Sequence, residues 1–158
     1  MTKKMVIPWE LKADIRIKGW ASILKGLMYE IREEYGAAAA MEIYERLCKR
    51  DDRVKNLTKS ILEIFKIEGN DAETIGMWWN IYWELTGMEG TTLEQSKTIN
   101  KNRITKCPFK TGYKDLSDWV IPFIDIITKT INPKATFERP IGMCAGDPYC
   151  EYVFKIKE

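Results

Sequence analysis

The stretch TFERPIGMCAGDPYCEYVFKI, residues 136–156, carries the strongest fold signal in this chain. Two segments with aromatic and β-branched residues, 136–143 and 149–156, flank the sequence Ala-Gly-Asp-Pro at 145–148, which is typical of a turn. The stretch therefore predicts a β-hairpin with a cysteine at each end of its loop.

A second pair of strands is predicted before this hairpin. Residues 91–98 are polar and alternate in character, 100–102 carry turn residues, and 103–107 fit a returning strand. Between the two pairs, apolar residues at helical spacing predict a helix over 115–131. Pro122 lies inside that helix, so we expect either a kink there or a later start.

The first half of the chain predicts helices, because apolar residues recur there every three or four positions. At Asn70, with Glu73 three residues later, the pattern is that of a capping box, which marks a helix start. The four predicted helices cover approximately residues 17–35, 37–50, 52–69 and 70–87.

These elements predict an α+β fold. A helical part, about residues 1–87, would pack on a four-stranded antiparallel sheet that shares residues 91–158 with one further helix. The chain has 158 residues, of which 45% are hydrophobic. That length and composition suit one domain, 1–158, with its own core.

The charge balance gives no reason to expect a nucleic-acid or membrane-surface partner. There are 25 basic and 23 acidic residues, for a net charge of +2, and the basic residues are scattered. No apolar stretch is long enough to predict a membrane span, and the first apolar run ends at Pro8, too early for a signal-peptide core. We therefore expect a cytoplasmic protein.

The chain contains no histidine, which excludes Ser-His-Asp and Cys-His catalysis, histidine zinc sites and haem held by a proximal histidine. A transition-metal site would have to use thiolates and carboxylates. In a cytoplasmic chain, four cysteines favour reduced thiols or a metal site over a disulfide framework. They are Cys48, Cys107, Cys144 and Cys150.

Three of these cysteines are candidate zinc ligands. The predicted hairpin brings Cys144 close to Cys150, and Cys107 ends the second predicted strand, so the three thiols converge if that strand lies beside the hairpin. Zinc usually takes four ligands. Glu138, Cys48 or a water would be the fourth, and Glu138 precedes Cys144 by an even number of residues, which predicts the same strand face. Buried free thiols or a disulfide remain alternatives.

An aromatic cluster marks a second candidate site. Four aromatic residues within six positions cover most of a helix circumference, so they cannot all enter one core. Some would contact a second subunit in a homodimer, or form the wall of an apolar pocket for a small aromatic ligand. The cluster comprises Trp78, Trp79, Tyr82 and Trp83, and Phe109, Trp119 and Phe123 could complete the pocket.

The segment MCAGDPYCEYVF, residues 143–154, resembles the carboxy-terminal signature of the 4-vinyl-reductase domain family, in particular small archaeal members. The resemblance is strongest over about residues 100–158. It implies a fold similar to that of vesicle-tethering TRAPP subunits, and an apolar ligand pocket beside a zinc held by cysteines and a glutamate. It places Cys144, Cys150 and Cys107 as ligands. Glu138 departs from the pattern, because the family's glutamate lies closer to the following cysteine.

Cys107-Pro108-Phe109 before a predicted helix is also similar to the aminothiazoline-carboxylate hydrolase-like family, which implies hydrolysis of a small ring. The sequence thus favours a domain that binds a hydrophobic or aromatic ligand and carries a structural zinc. One alternative is an enzyme, either a vinyl reductase or a zinc-assisted hydrolase with Glu138 as base. The other is a dimeric protein-interaction module. No nucleotide-binding motif is present to support reduction.

Overall fold

The computed structural model of the protein describes the backbone of residues 9–157 and the side chains of residues 15–157. The amino-terminal segment, from which the absence of a signal peptide was predicted, lies largely outside the described residues. The helices are α1 Trp9–Tyr35, α2 Ala37–Lys49, α3 Arg53–Ile64, α4 Ala72–Thr86 and α5 Ile121–Ile131. The strands are β1 Glu89–Gln95, β2 Ile99–Lys106, β3 Ala135–Ile141 and β4 Cys150–Ile156.

The α+β prediction is confirmed. The four strands form one antiparallel sheet in the order β1-β2-β4-β3, so the two predicted hairpins meet where β2 pairs with β4. Helices α4 and α5 pack on this sheet. Alternate side chains of β2, Asn100, Asn102 and Ile104, are fully buried. This period of two is expected for a strand with one face against a helical layer.

The predicted turn of the first hairpin is wrong. The chain turns at 96–98, where the Ser96 hydroxyl accepts hydrogen bonds from the backbone N–H of Ile99 and of Thr98 at 3.2 and 3.4 Å. Asn100 and Asn102 lie instead within β2, and the Asn102 amide donates to Asn100 Oδ1 at 2.5 Å. Because the two amides pair with each other when buried, their usual turn preference is overridden.

The first residues of α4 and α5 show how each of these two helices begins. The N-cap of α4 is Asp71, whose carboxylate accepts from the Thr74 backbone N–H at 2.9 Å and hydroxyl at 2.8 Å, so the predicted Asn70–Glu73 capping box is wrong. Pro122 lies in the first turn of α5, where its missing N–H costs nothing. The later start of this helix is therefore confirmed.

No helix within residues 9–157 is both long and apolar enough to cross a bilayer.

Candidate functional site

An apolar cavity of about 160 Å³ lies between the helices and the inner face of the sheet. All helices except α3 contribute to its wall, together with β4 and the loops beside the sheet. The lining residues are Leu24, Tyr44, Trp79, Tyr82, Met88, Cys107, Phe109, Trp119, Val120, Phe123, Ile124 and Tyr152.

Aromatic rings in mutual contact form most of this wall. Trp79 lies 5.4 Å from Tyr82 and 5.9 Å from Tyr152, measured between ring centroids in edge-to-face arrangements. On the opposite side, the ring of Trp119 lies 4.9 Å from that of Tyr44. Contacts between neighbouring rings restrict how far each ring in the wall can move.

Two indole N–H groups in this wall have no acceptor. The Nε1 atoms of Trp79 and Trp119 are buried, and neither has a hydrogen-bond partner among the described residues. A buried donor without a partner loses its hydrogen bonds to water and gains nothing in return. Both residues line the cavity, so an acceptor on a bound molecule could satisfy them.

The cavity carries no formal charge at neutral pH. Its described lining includes no lysine, arginine or carboxylate. Burial raises the pKa of Tyr44, Tyr82 and Tyr152 above the ordinary tyrosine value, so their hydroxyls remain protonated. The arrangement therefore suits a neutral molecule, and the cavity offers no obvious general base.

An open groove of about 600 Å³ lies outside the cavity and shares Met88 and Cys107 with it. Lys18 and Lys25 of α1 line the groove, as does Trp83 of α4. Met88 and Cys107 therefore lie where the groove and the cavity adjoin.

The predicted pocket residues divide between three locations. Trp79, Tyr82, Phe109, Trp119 and Phe123 surround the cavity. Trp83 lines the outer groove, whereas Trp78 is fully buried and donates from Nε1 to the Thr58 carbonyl oxygen at 3.2 Å. Sequence reasoning missed the lining residues Leu24, Tyr44, Met88, Cys107, Val120, Ile124 and Tyr152.

The three cysteines predicted as ligands lie near enough to interact electrostatically, and Cys107 itself lines the cavity. The Cys144 thiol accepts a hydrogen bond from the Thr111 backbone N–H at 3.3 Å, and the Cys150 thiol accepts one from Met143 at 3.2 Å. Burial raises the pKa of Cys107 to about 12, and Cys150 and Cys144 add to that rise. All three thiols are free.

A buried guanidinium accompanies these cysteines. Arg139 on β3 donates from Nη1 to the Ser117 carbonyl oxygen at 2.7 Å and forms an ion pair with Asp118. Burial raises the pKa of Cys150, and the charge of Arg139 offsets part of that rise. Arg139 was not predicted from the sequence, because its place beside Cys150 depends on the pairing of β3 with β4.

The prediction that Glu138 joins Cys144 on one strand face is wrong. Glu138 is exposed and its carboxylate pairs with the Lys155 ammonium at 2.8 Å. The register of β3 shifts between Glu138 and Ile141, and Cys144 lies beyond the strand in a 3-10 turn, Met143–Ala145. Counting alternate residues therefore fails, because the strand ends before the cysteine.

The donor chemistry of the cysteines fits zinc, but their placement does not complete a site. Thiolates that accept backbone N–H bonds are suitable zinc ligands. Within residues 15–157, however, no three cysteine or carboxylate side chains come together closely enough to hold a metal ion. Cys48 is not part of the group: it is buried on α2 beside Tyr44.

Two solved structures are similar to this chain. A trafficking protein particle complex subunit 3 from Naegleria fowleri, covalently bound to palmitic acid, aligns over 92% of this chain and 97% of its own, with a TM-score of 0.66 and 16% identity. The phenol-responsive sensory domain of the transcription activator PoxR, with phenol, aligns over 98% of this chain and 77% of its own, with a TM-score of 0.57 and 13% identity.

At these identities the likeness shows a shared fold. No protein-family model and no curated protein matches the sequence. The TRAPP-subunit-like fold expected from the resemblance is therefore confirmed by structure, while membership of the 4-vinyl-reductase family stays a prediction.

Proposed function

We propose that this protein is a small-molecule-binding domain whose cavity takes a neutral aromatic molecule of about the size of phenol. The observation that carries the proposal is an apolar cavity walled by aromatic rings, two of which belong to tryptophans whose buried indole N–H groups have no acceptor among the described residues. Its volume of about 160 Å³ is close to that of apolar cavities that bind benzene, roughly 150 Å³.

The unpaired donors narrow the ligand class. A purely apolar ligand would leave Trp79 and Trp119 unsatisfied, whereas a ligand with a hydroxyl or carbonyl oxygen can accept from one or both. The absence of charged residues in the described lining disfavours a carboxylate or an amine. Binding of phenol by the PoxR sensory domain and of palmitate by the Naegleria subunit supports ligand binding in this fold. A long acyl chain would have to extend into the outer groove.

Calorimetric titration with phenol and toluene tests the proposal. The two ligands have similar shapes, but only phenol carries an oxygen. We expect phenol to bind with a micromolar to low-millimolar dissociation constant, and more tightly than toluene. The variant Trp119→Phe removes one donor. It should reduce the preference for phenol over toluene threefold to tenfold, which corresponds to the free energy of about one hydrogen bond. Comparing the ratio of the phenol and toluene dissociation constants in each protein cancels the effect of the smaller ring at position 119, which both ligands experience.

A cavity-filling variant provides the matched control. Val120 lines the cavity, and its neighbour Ile121 is equally half-buried but does not. Val120→Phe should abolish binding of both ligands, while Ile121→Phe should leave it within about twofold. If neither ligand binds at millimolar concentration, or if Val120→Phe binds normally, the proposal is wrong.

We also propose that Cys107, Cys144 and Cys150 hold a zinc ion, with the three thiols drawn together as the metal binds, because in the described structure they do not meet closely enough to hold one. Their shared location and the backbone N–H groups directed at Cys144 and Cys150 support this. A bound zinc would stabilise the fold by tying the β3–β4 loop to the segment after β2. With Glu138 on the outer surface, the three thiols have no fourth ligand in the described structure.

A further inference from the structure

Helix α1 carries an apolar face that no other part of the described chain covers. Trp20, Ile23 and Leu27 are 72%, 65% and 52% exposed. Their spacing of three and four residues places them on one stripe of the helix. The opposite side, with Ala21 and Met28, is buried against the rest of the fold. Large apolar side chains in a continuous exposed stripe mark an interaction surface.

The stripe has two further properties that bear on its partner. Gly19 and Gly26 lie beside it, and a Cβ atom at either position would have nothing within 4 Å. Arg16 and Glu30 lie at its two ends, and neither has an ion-pair partner in the described part of the chain. The face is therefore bulky at some positions, open at others, basic at one end and acidic at the other.

The stripe is complementary to a second copy of itself that runs in the opposite direction. Residues equally far before and after Ile23 form matched pairs: Trp20 with Gly26, Gly19 with Leu27, and Arg16 with Glu30. Two antiparallel helices place such residues opposite each other when Ile23 lies on the axis between them. Trp20 and Leu27 would then each face a glycine, Ile23 would face its own copy, and each charge would face the opposite charge.

We propose that a second copy of this chain packs on this face, with the two α1 helices antiparallel around a twofold axis at Ile23. A twofold interface must be complementary to itself, as this stripe is. The glycines would let the helices approach closely, and the burial of Trp20 would supply an aromatic anchor. The groove residues Ile17 and Lys25 lie on another side of α1, so pairing leaves the outer groove open.

Sedimentation velocity over a range of protein concentrations tests this surface. The wild type should sediment as a dimer at micromolar concentration. Ile23→Glu places two carboxylates against each other on the axis and should give a monomer. Ile64→Glu is the matched control, because Ile64 is 70% exposed on α3, and it should remain a dimer. Far-ultraviolet circular dichroism should be unchanged in both variants.

Charge reversal tests the register. Arg16→Glu or Glu30→Arg alone should weaken the dimer about tenfold or more, and the double variant should restore it, because both interhelical pairs are re-formed with reversed polarity. Glu63→Arg, at an exposed position of α3, should leave the dimer dissociation constant unchanged. Gly26→Leu should also dissociate the dimer by filling the space opposite Trp20.

Any of three results would overturn the proposal: a monomeric wild type at hundred-micromolar concentration, a dimer that survives Ile23→Glu, or a double charge variant no tighter than the single ones. None of these outcomes depends on whether the cavity binds phenol, so the two proposals can fail separately.

Discussion

Gly76 of α4 packs directly against Asn100 of β2. A Cβ atom at position 76 would lie 2.1 Å from the Asn100 amide nitrogen, and Asn100 is fully buried. The absence of a side chain at Gly76 thus sets how closely α4, which carries Trp79 and Tyr82, can approach the sheet. The geometry of the cavity wall depends on this contact.

Gly76→Ala should therefore destabilise the protein, although alanine is the better helix former. We expect the free energy of unfolding, measured by urea denaturation, to fall by about 2 kcal/mol or more, because the new methyl group has no room. Gly112→Ala is the control, since its Cβ would make only an ordinary contact at 3.9 Å, and should change stability by less than about 0.5 kcal/mol. Equal effects of the two substitutions would contradict this account.

Trp78 and Trp79 are adjacent in sequence but should behave differently on substitution. Trp78→Phe removes the hydrogen bond to Thr58 and leaves a void, so stability should fall by about 1–3 kcal/mol. Its effect on the preference for phenol over toluene should be less than twofold. Trp79→Phe should reduce that preference, because Trp79 lines the cavity and carries an unpaired donor. A loss of the preference for phenol in Trp78→Phe would show that the indole of Trp78, and not that of Trp79, donates to the ligand.

Metal analysis of the purified protein tests the cysteine proposal. We expect about one zinc per chain, and Cys144→Ser should lower both the zinc content and the Tm. Cys48→Ser should retain the zinc, because Cys48 lies apart on α2 beside Tyr44. Less than about 0.2 zinc per chain in the wild type would rule out a resident zinc at this site.

Alkaline pH should unfold the protein through its buried tyrosines. Below pH 10, tyrosines are protonated in both the folded and unfolded states, so they add no pH dependence. Above pH 10, the unfolded chain ionises, while burial raises the folded-state pKa of Tyr44, Tyr82 and Tyr152. The free energy of unfolding should then fall by about 1.4 kcal/mol per pH unit for each such tyrosine.

Parallel scans of tyrosinate absorbance and circular dichroism check this. Solvent-exposed tyrosines ionise first, and the last part of the rise in tyrosinate absorbance, from the buried rings, should coincide with the loss of circular dichroism. Tyr82→Phe should move the midpoint to higher pH, and Tyr35→Phe should not, because Tyr35 is largely exposed. If Tyr82→Phe unfolds at the same pH as the wild type, ionisation of Tyr82 does not contribute to alkaline unfolding.

Local patterns predicted the elements of this fold better than the contacts between them. Apolar periodicity indicated the helices, and the Gly-Asp-Pro loop indicated the β3–β4 hairpin. The first hairpin was misplaced because Asn100 and Asn102 favour turns in isolation. Their mutual hydrogen bond is buried in the folded protein, where Asn100 packs against Gly76 of α4. Such tertiary compensation has no signature in a local window of sequence.

The candidate site shows the same limit. The density of aromatic residues on α4 pointed to Trp79 and Tyr82. Their positions along the helix could not separate them from Trp78, whose indole donates a hydrogen bond to a carbonyl oxygen of α3. Tyr44 and Tyr152 reach the cavity from remote parts of the chain, so only the packing of α2 and β4 reveals them. Glu138 was misjudged because a register shift in β3 is invisible to residue counting.

The boundary between the outer groove and the cavity has a kinetic consequence. Met88 lies at this boundary, and its unbranched side chain has three rotatable bonds. A change of rotamer there can widen or narrow the passage while the backbone and the aromatic wall stay in place. Rotamer changes of exposed side chains take picoseconds to nanoseconds, far less than helix displacement, and half-buried Met88 can change rotamer without moving a helix. A bound molecule could therefore exchange with solvent at this boundary while the helices stay in place.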